Sequence, residues 1–410
     1  MFEVPEPVPP ESQEEAQDAR FLREVTLRGL LSFGPDAAPT ELRALNLLIG
    51  PNGAGKSNFI EALALLAATR GDLERVIRRG GGVREWLHKS TTENEASVAS
   101  IHALVAPNEF MFDPLRYAIE FGAMGSRFTV TDERVSIESA APLPDEGLIF
   151  GVRDGSPSIR TGGELHRLRR DSLDPTKSIL AQRRDPEQLP ELTSLGDRFE
   201  RIQLYREWQG GYTSALRLPQ RADLPNDHLL EDGSNLGLVL SRIQADHYSV
   251  WKDLRAALGD LLGGFEDVVI KAEAATLQVF LVDRWGRRFP AVRLSDGTLR
   301  FLCILAILFD PTPPPLVVLE EPELGLHPDA IGLLPDLLRD AAGRTQLVVT
   351  THSSALVDAF TQTPEVVVVA ERGDAGTTLE RLDRASLEAW LDDYGLGRMW
   401  SMNLLGGNRW

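Results

Sequence analysis

The sequence predicts an α/β fold with a parallel core sheet, an antiparallel β lobe and a compact helical insert. Three observations carry this reading. The runs ELRALNLLIG, LVVLEEPE and QLVVTTHS are apolar on both faces, as central parallel strands are when helices cover both sides of the sheet. Between about Val98 and Val152 short stretches alternate instead, first at Tyr117, Ile119 and Phe121 and then at Phe128 and Val130, which is the period of half-buried antiparallel strands. From about Ser156 the alternation stops. Helical patterning then runs through Leu195, Phe199, Ile202 and Tyr205 and returns over 236–262, with no heptad sustained long enough for a coiled coil.

Composition narrows the class. The chain has 410 residues, 42% hydrophobic and 25% charged, so disorder is excluded for most of it and the core can be large. Asp and Glu number 61 against 43 Lys and Arg, a formal charge of −18 that excludes a surface coating nucleic acid by charge alone, though not a local basic groove. One cysteine, Cys303, excludes a disulfide framework and a cysteine-based zinc site, and fits a reducing cytoplasm. No apolar run approaches the roughly 20 residues needed to span a bilayer, so no membrane is expected. Residues 1–20 carry six acids, one arginine and four prolines and read as a disordered acidic tail. Between Arg160 and Arg184 seven Lys or Arg stand against three Asp or Glu; this reads as a solvated face or, more sharply, as a surface facing DNA or a partner.

The first strand runs into Gly50-Pro51-Asn52-Gly53-Ala54-Gly55-Lys56-Ser57, which matches the phosphate-loop pattern, and an amphipathic helix follows through Phe59, Ile60, Leu63 and Leu66. Glycines let successive N–H groups turn inward, and the helix N-terminus adds its dipole, so the loop cradles phosphates. Lys56 is placed for the β and γ phosphates and Ser57 for Mg²⁺. Farther on, Ser295-Asp296-Gly297 opens an apolar helix. Taken alone it reads as an ordinary N-cap, although a Ser and a Gly at a helix start can also donate to an anion. LVVLEE ends a buried strand in two acids, Glu320 suited to the metal shell and Glu321 to polarising water. VVTTHS ends another in His352, which can hydrogen-bond a γ-phosphate or the attacking water.

Glu321 follows Ser295 by 26 residues and His352 follows Glu321 by 31. That order and spacing resemble ABC-type ATPase heads: phosphate loop (Walker A), signature loop, Walker B, D-loop and switch histidine. LEEPELGLHP and VVTTHSSALVD look like the RecF/SMC-like, OLD-related branch of AAA-type ATPases, and GLGRMWSMNLLGGNRW resembles the ends of some stand-alone members. The resemblance implies an organisation in which a head with Walker A occupies 21–155, a helical insert or lid 156–262, and the second part of the head, with signature, Walker B, D-loop and switch histidine, 263–410. It implies a head-to-tail homodimer around two ATPs with Mg²⁺. Asn52, Gly53, Ala54, Gly55, Lys56, Ser57 and Asn58 bind the nucleotide in cis, Ser295 and Gly297 in trans; Ser57 and Glu320 hold the metal; Glu321 and His352 are catalytic; Glu323, at the D-loop, tends toward the interface.

The sequence departs from the wider pattern at Glu320, Glu323 and Asp296, where transporters carry Asp, Asp and Gly. It also has no clear Q-loop glutamine, His88 and Lys89 standing in the plausible region, so hydrolysis is expected to be slow. The 58 residues after His352 are too few for the Toprim nuclease of OLD proteins. The function implied is an ATP-driven dimeric switch in DNA repair or anti-phage defence, with DNA as a further ligand and a separately encoded effector, for example a nuclease. The residues leave open an ATP-sensing interaction module with little turnover and, less well, a transporter ATPase subunit.

Overall fold

The computed structural model describes residues 20–89, 97–108, 111–138, 147–153, 156–206, 208, 210–391 and 393–406. The expected acidic tail lies outside them up to residue 19, as do the last four residues of the C-terminal stretch. The chain forms two compact units. One takes in the described residues up to Ala44, Glu61–Glu200 and Gly373–Thr378; the other Leu45–Ile60, Arg201–Arg372 and Leu379–Trp410 as far as described.

The first unit is built on an eight-stranded antiparallel sheet. Its strands are β1 (Leu22–Arg28), β2 (Thr40–Glu41), β4 (Val98–Val105), β5 (Leu115–Met124), β6 (Arg127–Ile137), β7 (Leu148–Arg153), β8 (Ser156–Thr161) and β9 (Glu164–Arg167), in the order β2-β1-β4-β5-β6-β7-β8-β9. β5 shows why: Leu115, Tyr117, Ile119 and Phe121 are buried on one face while the residues between them stay partly exposed. The helix Pro190–Glu200 covers that face, setting the Phe199 ring edge-on to Tyr117 at 5.2 Å and to Phe21 at 5.9 Å. Beneath it, buried Glu133 accepts hydrogen bonds from Tyr117 Oη, Ser178 Oγ and the Ile179 N–H. Burial pushes this carboxyl up to about 7 despite those donors.

Residues 156–262 do not form one helical body. Alternation in fact continues into β8, and a Gly162-Gly163 turn with φ 58 and 87 returns the chain along β9. All four β9 residues are exposed, so the strand has no apolar face to betray it. The paired glycines are the hairpin signal that was available. The remaining helical parts divide between the units, Pro190–Glu200 in the first and Leu236–Asp246 and Tyr248–Leu261 in the second. Three of the seven basic residues of this stretch pair with carboxylates, Arg169 with Asp171, Lys177 with Asp174 and Arg184 with Asp197, while Arg160 donates to the Leu148 and Gly163 carbonyls.

The second unit holds a six-stranded sheet of β10 (Gln203–Tyr205), β15 (Leu316–Glu320), β16 (Gln346–Thr350), β3 (Leu45–Ile49), β17 (Val367–Gly373) and β18 (Gly376–Arg381), in the order β10-β15-β16-β3-β17-β18. The first five run parallel. β3 and β16 are buried at every residue, as a sheet covered on both faces requires. The register pairs Glu320 with Thr350 and Thr350 with Leu48, so three strands end level with one another. Helices α1 (Lys56–Ala68), α2 (Asp296–Leu308), α3 (Pro328–Ala342) and α4 (Ser354–Asp358) connect or flank these strands. A second sheet pairs β11 (Gln220–Arg221), β13 (Thr276–Asp283) and β12 (Phe265–Glu273), with β14 (Arg288–Pro290) beside β13. One continuous core joins α2 to Leu240, Trp251, Leu254, Val279, Leu319 and Val349. Among the described residues, no helix is long and apolar enough to cross a membrane.

Candidate active site

The site lies at the carboxyl edge of β3, β15 and β16, where an open parallel sheet places its ligands. β3 is followed by Gly50, whose φ is 144 and whose missing Cβ would stand 2.3 Å from the Ala370 carbonyl oxygen, so only glycine fits. Gly53 and Gly55 also have left-handed φ values, 81 and 106, and the chain enters α1 at Lys56. Ala54 and Lys56 are buried, whereas Asn52, Gly53 and Ser57 are exposed on the open side of the loop and Asn58 is half-buried. The Lys56 ammonium donates to the Gly50 and Pro51 carbonyls at 2.8 and 3.1 Å. Burial holds its pKa below the usual lysine value, partly offset by Glu321 and Glu320. A β/γ-phosphate would compete with those two carbonyls for the ammonium.

Ser57 Oγ donates to Glu320 Oε1 at 2.7 Å, joining the phosphate loop to the end of β15 across 263 residues of sequence. Two hard oxygen donors beside a phosphate cradle suit Mg²⁺, which takes few protein ligands and fills its shell from phosphates and water. The described residues contain no group of three or more His, Cys, Asp or Glu side chains that could hold a metal ion.

Glu321 is a non-glycine residue in the left-handed region, φ 45, a conformation that costs about 1–2 kcal/mol. It is held there by its N–H, which donates to Thr350 O at 3.1 Å and Thr350 Oγ1 at 3.2 Å, and by its carbonyl, which accepts from Arg300 at 2.7 Å. The turn brings Glu321 Oε1 to 3.4 Å from His352 Nε2, both side chains about one-third exposed. A carboxylate and an imidazole thus face one another next to Glu320, the partner of Ser57.

Glu323 differs from expectation. Its side chain turns inward, 9% exposed, and Oε1 accepts from Thr351 Oγ1 at 2.5 Å and from the His352 N–H at 2.9 Å. Glu323 therefore fixes the turn that carries His352 in the same chain and does not reach outward, whereas its neighbour Leu324 is 59% exposed.

Ser295 caps α2: its Oγ accepts from the Thr298 N–H at 3.1 Å, the ordinary structural role. Gly297 packs so closely on the D-loop turn that a Cβ would stand 2.5 Å from the Gly325 carbonyl oxygen. Among the described residues no hydrogen bond or ion pair joins either residue to the phosphate loop of the same chain. Asp296 points away from any anion site at Ser295: Arg217 donates to it at 2.5 Å and the Gly211 N–H at 3.2 Å, and the guanidinium holds its carboxyl below the usual range. Arg217 also donates to the Leu294 carbonyl at 2.6 Å and so clamps the whole signature turn. Sequence reasoning missed Arg217 and Arg300; neither lies in a motif, and only tertiary contact reveals them. The Q-loop candidates are engaged locally, His88 Nδ1 with the Leu31 carbonyl at 2.9 Å and Lys89 with Glu85.

Comparisons with known proteins agree with this fold. The structure resembles an SMC head bound to the C-terminal winged-helix domain of ScpA, with TM-score 0.58 and 13% identity over 89% of this chain and 99% of that one. It also resembles the Smc head from Pyrococcus furiosus bound to the C-terminal domain of ScpA, with TM-score 0.52 and 13% identity over 91% of this chain and 99% of that one. The chromosome partition protein Smc of Mycobacterium tuberculosis is 37% identical over 75 residues, and that of Mycolicibacterium paratuberculosis 36% over 75. These stretches are 18% of this chain and only 6% of either relative, so the chain spans a small part of the curated proteins it matches. The fold is that of an SMC-head-like P-loop ATPase, with antiparallel and parallel sheets; nothing ties it to the OLD branch specifically. A family profile, "AAA domain, putative AbiEii toxin, Type IV TA system", matches residues 45–109 and 215–358, just over half of the sequence, and the chain belongs to that AAA-domain family.

Proposed function

We propose that the chain is an ATP-binding and ATP-hydrolysing switch that closes into a head-to-tail homodimer and acts with a separately encoded effector in anti-phage defence or DNA repair. The observation that carries this reading is the division of the site: Lys56, Ser57, Glu320, Glu321 and His352 converge, while Ser295 and Gly297, on a helix N-terminus, make no contact with the same loop. A γ-phosphate held in cis lacks donors on one side, and a second copy can supply them. Around the signature, Tyr212, Leu218, Val292 and Leu324 are 87, 50, 44 and 59% exposed, large apolar side chains of the kind a partner surface buries. The family description names a toxin of a toxin–antitoxin system, which supports the defence reading over repair.

In this reading the loop N–H groups and Lys56 bind the phosphates, and Ser57 and Glu320 would hold Mg²⁺, which when bound would supply positive charge beside the phosphates. Glu321 orients the attacking water and accepts its proton. His352, with its backbone fixed by Glu323, binds the γ-phosphate edge. Binding of the third phosphate closes the dimer; its loss releases it. The absence of a clear Q-loop partner fits slow turnover and a reducing, cytoplasmic setting requires nothing further of Cys303, which is buried.

The test is association. Glu321→Gln protein should sediment as a dimer with ATP and Mg²⁺ and as a lighter species with ADP. Identical sedimentation with both nucleotides would remove the γ-phosphate from the closure.

A further inference from the structure

The acidic chain carries one compact basic tip on its second unit. Between β13 and β14 the hairpin presents Arg284, Trp285, Gly286, Arg287 and Arg288, all exposed. The turn is rigid: Asp283, 6% exposed, accepts from the Trp285 and Arg287 N–H groups at 3.0 and 2.9 Å and from Arg287 Nε at 2.7 Å, and Gly286 takes φ 77. Trp285 stands 68% exposed, and the Arg284 and Arg287 guanidinium carbons lie 5.0 and 4.8 Å from its ring centroid. The indole thereby orders the guanidiniums it touches. Asp283 neutralises Arg287. The Arg284 guanidinium donates to the Gly263 carbonyl, and neither it nor Arg288 has a carboxylate partner among the described residues.

We propose that this hairpin tip is a contact for unpaired nucleic acid, taking the phosphodiester backbone on Arg284 and Arg288 and a base against Trp285. Charge complementarity is the first argument: with a chain charge of −18, two guanidiniums without carboxylates beside an exposed indole are arranged for a polyanion. The indole is the second. An acidic peptide would satisfy the arginines and leave the ring unused, whereas a strand with accessible bases engages both, the combination by which single strands are held without sequence preference. Neither argument needs ATP turnover, so the tip can be tested whether or not the ATPase reading stands.

The experiment measures anisotropy of fluorescently labelled oligo(dT), with a labelled duplex and poly-glutamate as comparison ligands, across a salt series. Wild type, Trp285→Ala, Arg288→Glu and the Arg284→Glu/Arg288→Glu double variant are compared after matched thermal melts; the single Arg288→Glu covers the case in which the double variant melts early. Oligo(dT) binding is expected to weaken about tenfold in Trp285→Ala and more in the double variant. The double variant's slope of log affinity against log salt should be shallower by about 1.4, two phosphate contacts at about 0.7 each. ATP hydrolysis without nucleic acid should be unchanged in all three variants. Unaltered oligo(dT) affinity in the folded variants, or no binding by wild type, would overturn the proposal. Equal affinity for the duplex would overturn the assignment to unpaired bases, and equal affinity for poly-glutamate would assign the tip to an acidic protein instead.

Discussion

Glu321→Gln should retain ATP binding and lose hydrolysis by about 10²–10⁴-fold, the range that removal of one general base typically costs. The amide keeps the volume and the left-handed turn, because the bonds that hold residue 321 are made by its backbone to Thr350 and Arg300. What changes is the oxygen pair facing His352 at 3.4 Å, which can no longer accept a proton. ATP affinity should change little, since the phosphates are held by the loop and Lys56. Single-turnover hydrolysis with a parallel binding titration separates the two effects, and unchanged turnover would remove Glu321 from the chemistry.

Lys56→Ala should lose ATP affinity outright. A buried ammonium aimed at the loop is the one full positive charge at the β/γ position in this reading, and the loop's N–H dipoles cannot replace it. Removing the side chain takes one donor from the Gly50 carbonyl, which is buried, and one from the Pro51 carbonyl, which is half-buried, so a thermal melt accompanies the binding assay. Equilibrium binding of a fluorescent ATP analogue checks this, and wild-type affinity would refute the cradle as the phosphate site.

Much of this site is legible in the sequence because its parts are local. The phosphate loop is eight consecutive residues between a strand and a helix, and β15 and β16 announce themselves by being apolar on both faces up to Glu320 and Thr350. What the residues do not show is direction and distance. Glu323 is easily seen as the D-loop acid, but whether it turns outward or toward Thr351 is a side-chain choice set by the donors just after β16. Arg217 holds Asp296 across 79 residues, and Asn46 Nδ2 reaches the Leu347 carbonyl across 301, contacts that no periodicity encodes. For the same reason β3 and the phosphate loop belong with the C-terminal half of the chain, whereas a linear reading assigns them to an N-terminal one. β9 escapes because its four residues are exposed, and strand patterning is visible only where one face is buried.

The central claim is that each ATP is completed by the signature of a second copy, and mixing two inactive variants tests it most directly. Lys56→Ala removes the phosphate-loop half of a site; Ser295→Arg blocks the signature half. In a mixed dimer of this kind one composite site carries both lesions and the other carries none. The account predicts that ATPase activity, absent from either variant alone, returns when they are mixed. If mixed dimers demonstrably form and no activity returns, Ser295 does not act in trans on an independently competent site, and the shared-site account is contradicted.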